Sequence, residues 1–239
     1  MAEDPDRGRP SARAAPPRDW PRNAALSMRA QLKRGIHALR RTGELREKGP
    51  HRDEMMLVQP EAIGFHMLRE TWRDLVRRTG HEGGTFADGD WDRHGLERMV
   101  MRGEEVFRSC HDRWVLGRRW EETEVVRGYI EKLENGVPNR FANRSALMDR
   151  YRNLDAIFET VSRTRRMSDA VDDLVKVSVG RDEVLAWGPD GRHRICIAMI
   201  AGLERMPVRV GFVHVGALDA FQEIRTHKVV KASAPAAAE

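Results

Sequence analysis

At 239 residues, 40% hydrophobic and 33% charged, the chain has room for one good-sized domain with extensions and enough apolar content for a core. No apolar run approaches the roughly 20 residues of a membrane span, and the acidic, Pro-rich start MAEDPDRGRP lacks the apolar segment of a secretory signal. The net charge of +5 is uneven: residues 1–52 hold 13 Lys+Arg against 6 Asp+Glu, the remainder 29 against 31, so the folded body lacks the basic excess of a nucleic-acid-binding surface.

Met1–Pro21, with its prolines, alanines and arginines, reads as disordered. Asn23–Arg41 has Leu26, Ala30, Ile36 and Leu39 at helical spacing among Arg29, Lys33, Arg34, Arg40 and Arg41, a basic amphipathic helix weakened by Gly35. It serves either as a solvated helix on the domain or as a contact to a membrane surface or nucleic acid. Gly49-Pro50 closes this arm, residues 1–52, and the folded domain is expected over 53–228 with a helical insertion at about 93–160 and a low-complexity tail at 229–239.

The domain opens with Met55–Val58 as a short strand stopped by Pro60. Glu61–Arg78 has helical spacing (Ile63, Met67, Leu68, Trp72, Leu75, Val76), and Gly80–Gly89 reads as a Gly-rich loop. The loop delivers GDWD at Gly89–Asp92, either a metal or base pair or, with more weight, a Trp anchor with solvated neighbours. Leu96–Trp114 and Trp120–Asn135 read as helices around Gly117. Gly136-Val137-Pro138 ends the second. Cys110 and Cys196, the only cysteines, form no disulfide framework and suit a reducing cytoplasm, the expected location. Cys110-His111 reads as a packing Cys beside a surface His, since no second cluster accompanies it.

Ser145–Val161 is an amphipathic helix with a basic exit over Ser162–Arg166. Val175, Val177 and Val179 alternate with polar residues as a half-buried strand, and Gly180–Glu183 is a hairpin turn into Val184–Trp187. Pro189-Asp190-Gly191 carries turn chemistry. The helix from His193 to Ala201 is apolar all round and so buried, with Gly202 as its C-terminal glycine. Pro207 leads into a strand over Val208–Val215, with His214 near its end, and Leu218–Arg225 forms a last helix.

Asp190–Arg194 carries the strongest functional signal. Free N–H groups and the positive dipole end make a helix N-terminus an anion site, and Arg192, His193 and Arg194 add cations there. The competing reading is a turn in which Asp190 and Arg194 merely cap the helix. His193 is a general acid–base group or a hydrogen-bonded structural histidine; Asp190 is a Mg²⁺ ligand or a turn-forming aspartate. His214 reads as an ordinary strand-end residue.

The strand, the turn with DGRHR at Asp190–Arg194, the helix, and GLERMPVRV at Gly202–Val210 resemble the ParB/sulfiredoxin superfamily. More narrowly, the order of motifs resembles a branch of ParB N-terminal-like proteins. The order runs from V-x-P at Val58–Pro60 and GDWD at Gly89–Asp92 to W-E-x-T at Trp120–Thr123 and I-E-x-L-E-N-G at Ile130–Gly136. It continues with R-Y-R-N-L-D-A-I-F-E-T at Arg150–Thr160, G-R-D at Gly180–Asp182, then DGRHR and P-V-R-V.

The resemblance covers Met55 to about Arg225. It implies an α+β fold, a small mixed sheet with packed helices plus a helical insertion. It also implies a phosphate cradle of Gly191, Arg192, His193 and Arg194 for ATP, ADP or CTP with Mg²⁺, and a small-molecule phosphoryl acceptor positioned or deprotonated by His193 or Asp190. Arg192 stands where sulfiredoxin-like enzymes carry a reactive cysteine, which argues against sulfinic-acid reduction. Arg163–Ser168 lacks the G-x-x-Q-P-I box and no helix-turn-helix follows His214, which argues against partition-type DNA binding. A nucleotide-dependent phosphotransferase or hydrolase and a non-catalytic nucleotide switch or adaptor are the readings left, with a DNA-binding or nuclease protein third.

Overall fold

The computed structural model describes residues 47–227, and the expectations for the basic arm before Glu47 and for the tail beyond 227 lie outside the described residues. The element order is β1 (Met55–Val58), β2 (Phe65–Met67), α1 (Arg69–Thr79), β3 (Thr85–Ala87), the single turn α2 (Trp91–His94) and β4 (Leu96–Arg98). Then come α3 (Glu105–Trp114), α4 (Glu124–Glu134), α5 (Arg144–Thr164), β5 (Val175–Val179), β6 (Leu185–Trp187), α6 (Arg192–Ile200), β7 (Met206–His214) and α7 (Leu218–His227). The described residues form a mixed α+β fold around one mixed sheet, ordered β1-β7-β5-β6-β2-β4 with β3 added to β7.

β7 is the organising strand. One edge pairs in parallel with β5; the other is shared, antiparallel to β1 through Met206–Arg209 and parallel to β3 through Phe212–His214. Both faces of the sheet are covered: Val208 and Val210 enter the larger core with Val175, Val177 and Val179, and an irregularity in the β5–β7 register between Val210 and Val213 breaks the alternation, so that Phe212 joins Met67, Trp72, Leu75, Trp91 and Ala186 on the opposite face. α3 and α5 pack on α6 over the larger core, so the apolar helix foreseen from sequence is buried, with Ile195, Cys196, Ile197 and Ala198 fully enclosed.

Several boundaries differ from expectation. Glu61–Arg78 is not one helix: a 3₁₀ turn at Pro60–Ala62 and strand β2 precede α1. Parallel pairing with β6 and antiparallel pairing with β4 override the local helical spacing. The Gly80–Gly89 loop contains β3, held by Gly84 N–H bonds to the carbonyls of Val210 (3.0 Å) and Gly211 (2.7 Å). Leu96–Trp114 likewise splits into β4, a 3₁₀ turn and α3. Trp120–Asn135 begins as a 3₁₀ turn at Trp120–Glu122, and α4 itself starts at Glu124.

The later elements follow the sequence closely. Asn143 caps α5 by accepting from Ala146 N–H at 2.9 Å. The β5–β6 hairpin turns through Asp182 and Glu183 at φ of +56° and +58°, the left-handed pair that suits a tight hairpin. Gly202 follows α6 in the left-handed region, φ +63°, as a C-terminal glycine does. No described helix is long and apolar enough to cross a membrane.

Candidate functional site: a cationic cleft at the start of α6

The two ends of α6 are treated differently. At its C-terminal end the Arg165 guanidinium, at the left-handed exit of α5, donates to the carbonyls of Ala201 and Gly202, the latter at 2.6 Å. At its N-terminal end Gly191 has φ +119° and no side-chain cap, and the first turn contains no acidic residue. A Cβ at Gly191 would lie 2.7 Å from a Val175 methyl, so glycine lets this turn sit directly on β5. Gly191 O accepts from the N–H groups of Arg194 (2.9 Å) and Ile195 (3.2 Å), which leaves those of Arg192 and His193 with no acceptor among the described residues.

Gly191, Arg192 and His193 line a cleft of about 590 Å³ together with residues of β2, the start of α1, α3, α4, α5 and the turn before β5. Its walls carry six cations, Arg69, Arg140, Arg150, Lys176, Arg192 and Arg194, against Asp172, Asp173 and Asp190. Three of the cations are engaged: Arg194 with Asp173 at 2.5 Å, Lys176 with Glu82 at 3.3 Å, and Arg192 with Glu104 at 4.0 Å. Arg69, Arg140 and Arg150 have no carboxylate partner among the described residues. Met67, Val106, Val125 and Leu174 make the apolar part of the wall.

Aromatic rings fix two of the lining groups. Trp187 is 2% exposed, stacks on His66 with centroids 4.2 Å apart, and carries the Arg192 guanidinium 5.2 Å from its ring centre. Its Nε1–H has no hydrogen-bond partner among the described residues. His193 meets the Tyr151 ring edge-on at 5.8 Å. Burial, then the positive charges of Arg150, Arg140 and Arg192, push the His193 pKa down to about 4, so its imidazole is neutral near pH 7. Burial, and then Arg192, lower that of His66 as well.

Gly191, Arg192, His193 and Arg194 thus all line one cleft, with Asp190 exposed at its rim. Arg194 is tied to Asp173, and Asp190 makes no capping bond to α6. Among the described residues no three His, Cys, Asp or Glu side chains gather to hold a metal ion. The sequence did not single out Arg69, Arg140, Arg150, Tyr151, His66 or Trp187 for the site. They come from five separate elements, and only the interleaving of arginines with α5's apolar stripe hinted at any of them.

The other singled-out motifs lie elsewhere. Asp90 and Asp92 of GDWD do not make a metal pair, nor are both solvated: both bind Arg181, and Asp92 is buried between α2 and the β5–β6 turn. Trp91 is the buried anchor between them. His214 bonds through Nε2 to Gly89 O (2.8 Å) and accepts at Nδ1 from Gly216 N–H (2.8 Å), so it latches the same loop. Cys110 is fully buried against α6, and Cys196 Sγ lies 3.9 Å from Met101 Sδ.

Compared with protein-family models, curated proteins and solved structures, the chain has no match.

Proposed function

We propose that the α6 cleft binds the phosphates of a nucleotide, ATP, ADP or CTP, in a ParB/sulfiredoxin-like manner. The observation that carries this is the pairing of two unclaimed N–H groups, Arg192 and His193, with a wall in which Arg69, Arg140 and Arg150 have no carboxylate partner. A phosphate supplies the missing acceptors, and its charge offsets that of the guanidiniums. Arg192, held over Trp187, is the nearest side-chain clamp, and the apolar wall accepts the uncharged part of the ligand. Phosphoryl transfer to a small-molecule acceptor needs a base at the mouth. The exposed, uncapped Asp190 is the carboxylate that could serve, while neutral His193 acts as a hydrogen-bond partner to the ligand.

Calorimetry with ATP, ADP, CTP and GTP, with and without Mg²⁺, tests the binding. Heat for at least one nucleotide, lost in Arg192→Ala, is expected; no heat for any of them overturns the proposal. Release or transfer of phosphate during incubation, abolished in Asp190→Asn, separates an enzyme from a non-catalytic switch.

A further inference from the structure

Arg140, Arg150 and His193 form a group of hydrogen-bond donors with no protein acceptor among the described residues. Arg140 comes from the loop between α4 and α5, Arg150 from the second turn of α5 and His193 from α6, and all three line the cleft. Arg140 is steered by aromatic faces, 5.4 Å from the centre of Tyr129 and 4.8 Å from that of Phe141. Tyr151, 1% exposed, backs the group from α5, and its hydroxyl is buried without a hydrogen-bond partner among the described residues. Desolvation, then the like charges of Arg140 and Arg194, lower the Arg150 pKa, and the same kinds of forces act on His193 with no carboxylate opposing them. Asp173, the acidic group from the turn before β5, is taken by Arg194.

Arginines gathered with no carboxylate paired to them raise the energy of the empty cleft, and a bound oxyanion lowers it. We propose that Arg140, Arg150 and His193 form a second oxyanion subsite, on the helical wall of the cleft and separate from the backbone N–H groups of α6, so that the preferred ligand carries two linked anionic groups. This rests on the cleft being an anion site, as proposed above, and adds that a single phosphate on the α6 N–H groups leaves Arg140, Arg150 and His193 unused. The uncharged part of the ligand then lies along Val106 and Val125, between α3 and α4, and not over the three donors.

The experiment compares inorganic phosphate with inorganic pyrophosphate on the full chain by calorimetry at one pH and ionic strength. Pyrophosphate is expected to bind at least about tenfold more tightly, since a second charge-assisted contact adds about 1.5 kcal/mol or more. Arg150→Met and Arg140→Met, both at exposed positions, should each reduce that preference to about twofold or less while circular dichroism remains native. A native protein without the preference, or variants that retain it, would overturn the subsite. Pyrophosphate discrimination without any nucleotide binding would instead retain the subsite and remove the nucleotide reading; silence towards every oxyanion would remove both.

Discussion

Arg181 binds Asp92 three times: its backbone N–H reaches Oδ2 at 2.8 Å, its Nε reaches Oδ2 at 2.9 Å and its Nη2 reaches Oδ1 at 2.5 Å. The pair joins the β5–β6 turn to α2 across 89 residues of sequence. Gly180 is part of the same fit, since a Cβ there would lie 2.8 Å from that of Asp92.

Asp92→Asn should therefore destabilise the domain by about 3 kcal/mol, because the amide cannot accept all three bonds and leaves donors unpaired. Burial pushes the Asp92 carboxyl up, but its bonds to Arg181 outweigh this and hold its pKa below the usual value. The stability this contributes is present above the unfolded aspartate value of about 3.9 and lost as pH falls through the lower folded value. Urea melts across the acid range check both points: a variant as stable as native at pH 7 would contradict the latch.

Gly191→Ala should distort the start of α6. The substitution forces a Cβ into the Val175 methyls at a φ of +119°, a region that costs a non-glycine residue about 1–3 kcal/mol. The expected result is a lowered Tm together with weakened anion binding. A stable variant with native affinity would show that the turn's geometry does not set the site.

Asp173→Asn should strengthen anion binding by about threefold or more, because it releases Arg194 from its 2.5 Å partner into the cleft. Calorimetry with pyrophosphate reads this directly. Unchanged affinity would mean that Arg194 is a purely structural arginine.

His193 should report on ligand charge. In the empty cleft it titrates at about 4, well below its ordinary value. The neutral form is fully present above the unfolded value of about 6.5, and stability falls by about 1.4 kcal/mol per pH unit between there and the folded value. Sulfate, which stays ionised throughout this range, offsets the guanidinium charges and should raise the folded value by at least one unit. The imidazole resonance, followed by NMR with and without sulfate, checks this; an unmoved titration would place the anion away from His193.

Much of the second half of the domain was legible because its elements carry their own periodicity. Val175, Val177 and Val179 alternate, α5 has its apolar stripe, and α6 is apolar all round between a turn glycine and Gly202. β2, β3 and β4 were not legible, because three residues contain no measurable period; β2 even sits inside a run with helical spacing. Such strands exist because a longer partner recruits them, which is tertiary information. The site divides in the same way. Arg192, His193 and Arg194 are adjacent in sequence and were read together, whereas Arg69, Arg140 and Arg150 look like ordinary solvated helix or loop cations until the fold places them around one cleft.

The shared edge of β7 has a consequence for the order in which the protein is made. β1, β3 and β5 all pair with residues 206–214; β5 also has β6 as a hairpin partner, whereas β1 and β3 pair with no other strand among the described residues and wait for one near the end of the domain. The helices of 105–164, with their local contacts, can form on the ribosome well before that. Nascent chains arrested before residue 206 should accordingly keep 55–58 and 85–87 open to protease, while chains in which residue 214 has cleared the exit tunnel become resistant in one step. Early resistance in the shorter chains would show that the sheet has another way to begin.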